Sequence, residues 1–481
     1  MKELRNLSLV MDFYELTMSQ CYFNQNKDQE VVFDLFYRNN PDNGGLCLFC
    51  GLEQVIEYVK NLHFEKEDID YLRSLHQFSE EFLDYLSTVR FTGDIYAIPE
   101  GTPVFPHEPL VRVKAPIIEA QLVETALLLA LNHQTLIATK ARRIVQASEG
   151  RAVMEFGARR AHNFDAAIYG ARAAYIAGCA GSATTYAGKE YGLPVLGTMA
   201  HSFIQSFDSE YDAFLFYAKT YPDQCTLLID TYSTLKSGMK NAIRVAKDYL
   251  EPNGYRLKGV RIDSGDMAYL SKQVRKELDA NGMQDCGIVV SNSLDEYVIE
   301  SLIHQQGAKI DSFGVGENLI CSKNSPVFGG VYKLVAIEKD GEMIPKIKIS
   351  DNVEKVTNPG LKKVYRIYEK DTGMAQADLM ALEHEVLDDQ KDLTIYHPMS
   401  RWKYKVIEGG TYELRELLVP IFLRGKVVYQ CPSLDGIREY SKRELDTIWE
   451  EIKRFAYPQE YYVDLTKDLL DLKLKLLNDH K

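Results

Sequence analysis

The amino-acid sequence predicts an α/β protein: a barrel of parallel strands and crossover helices, with a second, α+β domain assembled from both ends of the chain. Three observations lead to this prediction. Seven short apolar runs alternate with helical segments between residues 150 and 326. Polar residues follow each of these runs, and both flanking regions contain short β-like stretches punctuated by glycine and proline. Regular alternation of strands and helices is typical of a parallel sheet.

Length and composition indicate a globular protein of more than one core. The chain has 481 residues, of which 46% are hydrophobic and 26% charged, so two domains are expected. A net charge of −13 disfavours nucleic acid or an anionic membrane as a partner. The first residues lack an apolar core of signal-peptide length, and no apolar run is long enough to span a membrane, so we expect a cytoplasmic protein.

The eight cysteines are too scattered to predict a disulfide framework. Cys47 and Cys50 have the C-x-x-C spacing, but they lie in an apolar run without a second pair of ligands. Buried thiols are therefore favoured over a zinc or redox site.

The N-terminal flank, residues 1–135, mixes helices with a small antiparallel sheet. Apolar spacing predicts an amphipathic helix around Tyr14, whose ring could serve either the core or a site. Further helices are predicted at 53–61, 69–86, 118–132 and 134–148. Glycine and proline divide residues 91–116 into short strands.

The central region, residues 136–335, carries the predicted barrel. A barrel is favoured over a doubly wound sheet because polar residues follow every strand instead of clustering at one switch point. The predicted strands are residues 152–156, 177–181, 195–199, 226–230, 259–263, 287–291 and 310–315.

The segment 193–205 reads as strand, turn and helix, which places His201 where a strand ends and a helix begins. Chemistry in α/β folds is concentrated at such strand ends. Because the pKa of histidine lies near neutrality, His201 is a candidate catalytic residue, although it could instead cap the helix.

Two further strand ends suggest phosphate and ribose contacts. Gly314 and Gly316, with Ser291 and Asn292 on the preceding strand, match the place where barrels bind phosphate through backbone N–H groups.

Asp263 and Asp266 could bind ribose hydroxyls and a hydrated Mg²⁺, since Mg²⁺ takes only one or two protein carboxylates. The alternative is that Asp263 and Ser264 cap a helix. Arg159 and Arg160 are candidate anion clamps, or one of them pairs with a surface carboxylate.

The C-terminal flank, residues 336–481, completes the second domain. Strands are predicted at 329–337, 344–349 and 362–368, with two more between 412 and 429. Terminal helices are predicted at 441–455 and 465–477.

The sequence resembles the nicotinate phosphoribosyltransferases, which are type II phosphoribosyltransferases, over nearly its whole length. The resemblance rests on several motifs in the expected order: D-F-Y-E-L-T-M at 12–18, E-F-G-A-R-R-A at 155–161, G-T-M-A-H-S at 197–202, G-V-R-I-D-S-G-D at 259–266, and F-G-V-G through G-G-V-Y-K-L at 313–334. It implies an irregular TIM-like α/β barrel beside a domain built from both termini. Glu317 and Asn318 depart from the family pattern, in which small hydroxyl residues often follow the last glycine.

This family resemblance implies the reaction of nicotinate with phosphoribosyl pyrophosphate, assisted by Mg²⁺, to give nicotinate mononucleotide and pyrophosphate. ATP would be a co-substrate, hydrolysed through a phosphohistidine at His201. Asp263 and Asp266 would contact ribose and metal, and the remaining substrate-binding residues implied are Tyr14, Phe156, Arg159, Ala183, Thr198, Asp230, Arg261, Ser264, Ser291, Asn292, Gly314 and Gly316.

The resemblance also implies a homodimer with a shared active site, in which Tyr14 of one subunit and Phe156 of the other sandwich the nicotinate ring. Related nicotinamide-using enzymes carry an aspartate where this chain has Ala183. Its absence, with Arg261, Arg159 and Thr198 directed at the substrate carboxylate, favours nicotinate.

Two other functions remain open from the residues alone. A phosphate-handling barrel aldolase or isomerase would usually need a lysine or a carboxylate base at a strand end, and none of the predicted strand ends supplies a lysine. A non-catalytic nucleotide sensor could use the same scaffold.

Overall fold

The computed structural model describes residues 5–352, 355–400 and 402–479. The chain forms two compact units: a terminal unit, made of the residues up to Leu136 together with those from Val327 onward, and a central unit, Ile137–Pro326. The sequence placed the second boundary after residue 335. The structure places it earlier, because the strand Gly330–Lys339 pairs antiparallel with Glu30–Tyr37 of the terminal unit.

The first third of the chain forms most of the predicted helices and the short antiparallel strands. Ser79 begins one of the helices by accepting a hydrogen bond from the Phe82 N–H at 3.3 Å. The elements in chain order are α1 (Phe13–Asn26), β1 (Glu30–Tyr37), β2 (Cys47–Leu48), α2 (Leu52–Asn61), α3 (Lys66–Ser74), α4 (Glu80–Thr88), β3 (Asp94–Ala97), β4 (Pro103–Val104), β5 (Val111–Pro116), α5 (Ile117–Leu122) and α6 (Glu124–Ala147).

The central unit continues with alternating strands and helices, as the sequence predicts. The elements are β6 (Ala152–Glu155), α7 (Phe164–Ile176), β7 (Gly181–Ser182), α8 (Thr185–Tyr191), α9 (His201–Gln205), α10 (Glu210–Thr220), β8 (Thr226–Leu228), α11 (Met239–Val245), β9 (Gly259–Ile262), α12 (Met267–Ala280), β10 (Gly287–Ser291), α13 (Glu296–Glu300), β11 (Ser312–Val315) and α14 (Glu317–Ile320).

These six strands form one sheet in the order β7-β6-β11-β10-β9-β8, and every pair in it is parallel. Side chains such as Val260, Val290 and Phe313 are buried within the unit. The predicted α/β class is confirmed. The carboxyl ends of all six strands therefore meet along one edge of the sheet.

The predicted strand at 195–199 is replaced by a single parallel bridge between Ser182 and Val195. Val195 is 49% exposed, so this segment has little apolar surface to bury against the sheet. Among the described residues, β7 and β8 form the two edges of the sheet. Closure into a TIM-like barrel stays a prediction.

The last part of the chain returns to the terminal unit. Its elements are β12 (Gly330–Lys339), β13 (Glu342–Pro345), β14 (Lys362–Glu369), β15 (Ala375–Leu382), β16 (Leu393–Tyr396), β17 (Tyr404–Ile407), β18 (Tyr412–Glu416), β19 (Val419–Leu423), β20 (Lys426–Val427), α15 (Leu434–Asp446), α16 (Glu450–Lys453), β21 (Val463–Leu465) and α17 (Lys467–Asp479).

The terminal unit contains a seven-stranded sheet in the order β13-β12-β1-β5-β3-β19-β20 and a six-stranded sheet in the order β17-β16-β21-β15-β14-β18. The first sheet interleaves strands from both ends of the chain, and the buried rings of Phe33 and Tyr332 stack across β1 and β12 at 4.5 Å between centroids. The prediction of an α+β domain built from both termini is thereby confirmed.

Candidate active site

The candidate active site lies at the carboxyl ends of three adjacent strands, β8, β9 and β10. Asp230 follows β8, Asp263 follows β9, and Ser291 ends β10. Asp230 Oδ2 accepts hydrogen bonds from the Asp263 N–H at 2.9 Å and from the Ser264 hydroxyl at 2.6 Å. The Ser291 hydroxyl donates to Asp263 Oδ1. The two carboxylates are thus held in fixed positions by their neighbours.

His201 is the first residue of α9 and is half-buried. Its Nδ1 lies 3.0 Å from the Thr231 hydroxyl, and its Nε2 lies 3.8 Å from Asp263 Oδ2. The N-cap of α9 is Ala200, so the imidazole is directed to the neighbouring strand ends and does not cap its helix. This arrangement brings a titratable nitrogen beside the aspartates.

Arg261 supplies the positive charge of the site. It donates to the Thr198 hydroxyl at 2.6 Å. Burial lowers the pKa of Arg261, while Asp263 and Asp230 raise it and the like charge of Arg159 lowers it further. Asp230, Asp263 and Arg159 are therefore close enough to act on the charge of Arg261. The guanidinium itself stays protonated.

Two buried polar atoms in this cluster have no hydrogen-bond partner among the described residues: Asp230 Oδ1 and Arg261 Nε. Buried polar groups in folded proteins are nearly always paired, so each exception needs an explanation. A polar, charged ligand could donate a hydrogen bond to the unpaired acceptor and accept one from the unpaired donor.

Phe156, Gly314 and Ala183 form a less polar part of the site. A Cβ atom at position 314 would lie 2.6 Å from Phe156 Cδ2, so the aromatic ring occupies the space beside this glycine. Ala183 is exposed, and its N–H donates to the Glu155 carbonyl at 2.9 Å, which ties the end of β7 to the end of β6. An aromatic face and a small exposed side chain therefore project from neighbouring strands.

The predicted phosphate-binding residues lie at the ends of β10 and β11 or directly after them. Asn292 and Ser293 are exposed and have left-handed backbone conformations, with φ of 103° and 30°. Non-glycine residues in this region are uncommon and are concentrated at functional sites. Glu317, which departs from the family pattern, pairs with Lys323 at 2.8 Å, and this partner lowers the pKa of the carboxyl group.

Asp266 has a structural role as the N-cap of α12. Its Oδ1 caps α12 by accepting from the Tyr269 N–H at 2.9 Å, so the capping carboxylate is Asp266 and not Asp263. Within the described ranges, no three His, Cys, Asp or Glu side chains are grouped to hold a metal. A Mg²⁺ held by one or two carboxylates, water and substrate phosphates needs no such group, and the unpaired Asp230 Oδ1 suits it.

Several predicted residues lie away from these contacts. Arg159 and Arg160 are exposed in the turn after β6, with Arg160 Nε 4.0 Å from Glu317. Tyr14 lies in the first turn of α1, in the terminal unit, and is 43% exposed. Burial, followed by the charge of Glu124, raises its pKa. Cys47 and Cys50 are both buried, as favoured from the sequence.

Three residues of the site were given no role by the sequence analysis: Thr231, Glu155 and Ser182. Thr231 could have been found from its position directly after Asp230 at a strand end. Glu155 and Ser182 are both fully buried, and the Ser182 hydroxyl donates to Glu155 Oε2 at 2.5 Å. An acidic residue at the end of an apolar strand, with a glycine two residues later, was the available signal.

Comparison with known proteins identifies the family. The chain matches the family models of the nicotinate phosphoribosyltransferase N-terminal domain at residues 9–132, of the nicotinate phosphoribosyltransferase family at 151–389 and of the C-terminal domain at 361–473. It is 45% identical to a nicotinate phosphoribosyltransferase of Bacillus subtilis over 479 residues, which cover 99% of this chain and 96% of the relative.

Two further relatives extend the comparison. Identity is 40% over 457 residues with a nicotinate phosphoribosyltransferase of Mycobacterium tuberculosis, covering 94% of this chain and 90% of the relative. The crystal structure of human nicotinic acid phosphoribosyltransferase superposes with a TM-score of 0.85 at 27% identity, covering 98% of this chain and all of the human one.

The α/β fold and the charged strand-end cluster, taken with these matches, define an enzyme of the phosphoribosyltransferase class. The chain belongs to the nicotinate phosphoribosyltransferase family. Separately, no helix in the described part of the chain is long and apolar enough to cross a membrane.

Proposed function

We propose that this enzyme transfers the phosphoribosyl group of phosphoribosyl pyrophosphate to nicotinate, forming nicotinate mononucleotide and pyrophosphate as the first step of NAD salvage from nicotinate. The observation that carries the proposal is the strand-end cluster in which Arg261 lies among Asp230 and Asp263 with an unpaired Nε and an unpaired Oδ1. This cluster offers a cation for the nicotinate carboxylate and acceptors for ribose hydroxyls.

Catalysis would depend on positioning and electrostatics. The pyridine nitrogen attacks the anomeric carbon as pyrophosphate leaves, and positive charge develops on the ribosyl ring. Asp230 and Asp263 are held by backbone and hydroxyl donors, so they are preorganised to stabilise that charge. No general base is required, because the pyridine nitrogen is unprotonated near neutral pH.

Mg²⁺ would neutralise charge on the departing pyrophosphate. Asp263 and Asp266 are the residues that the sequence assigns to it, and Asp230 also has a carboxylate oxygen available. In Asp266 one oxygen caps α12, so its metal contact would fall to the other oxygen or to a bound water. The Ser291 hydroxyl donates to Asp263 and would hold this carboxylate in place. Asn292, Gly314 and Gly316 would contribute nearby backbone groups to phosphate binding.

ATP hydrolysis would be coupled through phosphorylation of His201. Phosphorylation of the imidazole, which lies beside Asp263, would place a new negative charge next to the proposed pyrophosphate position and so alter substrate affinity and product release. We expect His201→Asn to lose stimulation by ATP and to retain slow ATP-independent transfer, because the chemistry at the anomeric carbon does not need the imidazole. Unchanged ATP dependence in this variant would assign the phosphate to another residue.

The wider setting proposed is a cytoplasmic homodimer in which Tyr14 and Phe156 of opposite subunits enclose the nicotinate ring. Tyr14 is exposed in the single chain, so its ring is free to contact a second subunit, which supports the proposed dimer. Light scattering combined with an activity assay tests the shared site, since a fully active monomer would contradict it.

The decisive experiment for the function is incubation of the purified protein with nicotinate, phosphoribosyl pyrophosphate, Mg²⁺ and ATP. Formation of nicotinate mononucleotide and pyrophosphate in equal amounts is expected. If no nicotinate mononucleotide forms under these conditions, the proposal fails.

A further inference from the structure

Glu155 is a fully buried carboxylate at the end of β6, next to the proposed nicotinate site. Its Oε1 accepts from the Gly157 N–H, and its Oε2 accepts from the Ser182 hydroxyl at 2.5 Å. Burial raises its pKa, and these two hydrogen bonds lower it. A buried carboxylate is costly even when hydrogen-bonded, so an apolar residue would suit a purely packing role better.

The hydrogen bonds of Glu155 connect the loops that follow β6 and β7. The Ser182 hydroxyl, which donates to Glu155, also accepts from the Thr184 N–H at 2.9 Å. The Ala183 N–H donates to the main-chain carbonyl of Glu155 at 2.9 Å. Residues 182–184 are therefore fixed to β6 by both the backbone and the side chain of Glu155.

The same network reaches the segment that leads to Thr198 and His201. The Ser182 N–H donates to the Pro194 carbonyl at 3.0 Å, and the Leu196 N–H donates to the Ser182 carbonyl at 2.9 Å. Three chain segments that carry proposed substrate contacts thus meet around one buried carboxylate and one buried hydroxyl.

Gly157 makes this arrangement possible. A Cβ at position 157 would lie 2.8 Å from Glu155 Oε1 and 2.6 Å from the Cβ of Ile320. The carboxylate therefore accepts a hydrogen bond from the backbone N–H of the residue directly after Phe156, and this bond fixes the turn that carries the Phe156 ring.

We propose that Glu155 is a positioning residue for the pyridine end of the active site. Through Gly157 and Ser182 it sets the aromatic face of Phe156 relative to Ala183, the position that distinguishes nicotinate from nicotinamide. The inference rests on the proposed function and adds to it a residue that touches neither substrate.

The test compares two substitutions of Glu155. Glu155→Met keeps the side-chain volume but removes both hydrogen bonds, and we expect the nicotinate KM to rise about tenfold or more while the phosphoribosyl pyrophosphate KM stays within about twofold. In Glu155→Gln the carbonyl accepts from Gly157 and the amide donates to Ser182, so the nicotinate KM should remain within about threefold of wild type.

Ser182→Ala and Glu210→Met complete the design. Ser182→Ala removes one arm of the network with little loss of volume, so it reports on the network even if Glu155→Met does not fold, and we expect an intermediate rise in nicotinate KM. Glu210 is a buried carboxylate of the same unit that accepts from Asn241 at 2.8 Å. Glu210→Met should lower the Tm and leave both KM values unchanged.

The outcomes separate the two proposals. An active wild type with an unchanged nicotinate KM in folded Glu155→Met and Ser182→Ala overturns the positioning role, as does an equal rise in both KM values. A wild type that neither binds nicotinate in calorimetry nor converts it overturns the proposed function itself.

Discussion

The terminal and central units each contain a cluster of buried or half-buried charges, and the clusters differ in how the charges are paired. In the terminal unit, Arg366 and Asp378 are completely buried, and the guanidinium donates to both carboxylate oxygens, at 2.8 and 2.7 Å. Tyr461 donates to the same carboxylate at 3.0 Å, and Arg366 also donates to the Pro103 carbonyl. The two charges of this pair bond to each other, and of the guanidinium nitrogens only Arg366 Nη1 has no hydrogen-bond partner among the described residues.

In the strand-end cluster of the central unit the opposite charges lie close but are not joined, whereas elsewhere in that unit the buried Glu296 forms ion pairs with Lys140 and Arg143. Among the described residues Arg261 forms no ion pair with Asp230 or Asp263, although both carboxylates raise its pKa. His201 Nε2 and Asp263 remain 3.8 Å apart. Charges held near each other but bonded to hydroxyl and backbone groups keep their capacity for a ligand. The two clusters therefore differ in the partners of their charges and not only in their burial, and this difference is what separates a structural ion pair from a candidate binding site.

The largest expected effect comes from breaking the pair of Arg366 and Asp378. Arg366→Met leaves the Asp378 carboxylate buried without its counter-charge, which should cost about 3–5 kcal/mol of unfolding free energy. Denaturant unfolding of the variant measures this loss. The double variant Arg366→Met/Asp378→Leu should recover most of it, and a single variant within about 1 kcal/mol of wild type would show that the pair is not structural.

The second test removes one charge from the strand-end cluster. Asp263→Asn should lower kcat/KM about 100-fold, equivalent to about 2.7 kcal/mol of transition-state stabilisation, with little change in Tm. The reason is that this half-exposed carboxylate stabilises substrate charge more than it stabilises the fold. Asp279→Asn, at an exposed ion pair with Arg275 in the same unit, is the control and should change neither quantity. A large Tm loss in Asp263→Asn with intact kcat/KM would reverse the distinction.

The third test introduces a carboxylate at position 183, where the chain has an uncharged alanine. Ala183→Asp should lower kcat/KM for nicotinate at least about tenfold, or 1.4 kcal/mol, because a carboxylate would face the substrate carboxylate. Ala183→Asn has nearly the same size and no charge, so competition assays of nicotinate against nicotinamide in both variants separate charge from volume. Equal losses in the two variants would assign the effect to size.

The smallest expected effect concerns a buried carboxylate with only hydroxyl and backbone donors. Burial raises the pKa of Glu15 to about 7, although Thr125 donates to it at 2.5 Å. The folded protein therefore retains this proton to a higher pH than the unfolded chain does, and stability falls as the pH rises from about 4.5 to about 7.

Thermal unfolding at about pH 5 and about pH 8 measures this dependence. Glu15→Gln removes the titration, so its Tm relative to wild type should be higher at the upper pH. Glu67→Gln, at an exposed position of α3, should show no such trend. The opposite trend in Glu15→Gln would mean that the buried carboxylate is ionised throughout.

The strands and their chemistry could be predicted where an apolar run ends in polar residues. β6, β9, β10 and β11 lie within two residues of the predicted runs, because most of their side chains are at least partly buried and form a short apolar run in the sequence. The run at 195–199 shares the pattern but contains Gly197 and Thr198, and its exposed Val195 does not stabilise a strand.

The candidate site could be predicted as a set of residues at strand ends but not as a set of contacts. Asp263 and His201 were found because each follows a strand-like run. Their partners Ser291 and Thr231 lie 28 and 30 residues away along the chain, and the direction of each side chain depends on packing that local pattern does not encode. The pairing of Glu155 with Ser182 was missed for the same reason.

The close approach of Phe156 to Gly314 has a consequence for how this family can diverge. With 2.6 Å between the ring and any Cβ at position 314, an aromatic at 156 and a larger residue at 314 are mutually exclusive unless the ring moves. The two positions are therefore expected to be epistatic: a larger residue at 314 requires a smaller side chain at 156 or a shift of its ring. A mutant library that enlarges the side chain at position 314 should therefore vary position 156 at the same time, because this one contact couples the two positions.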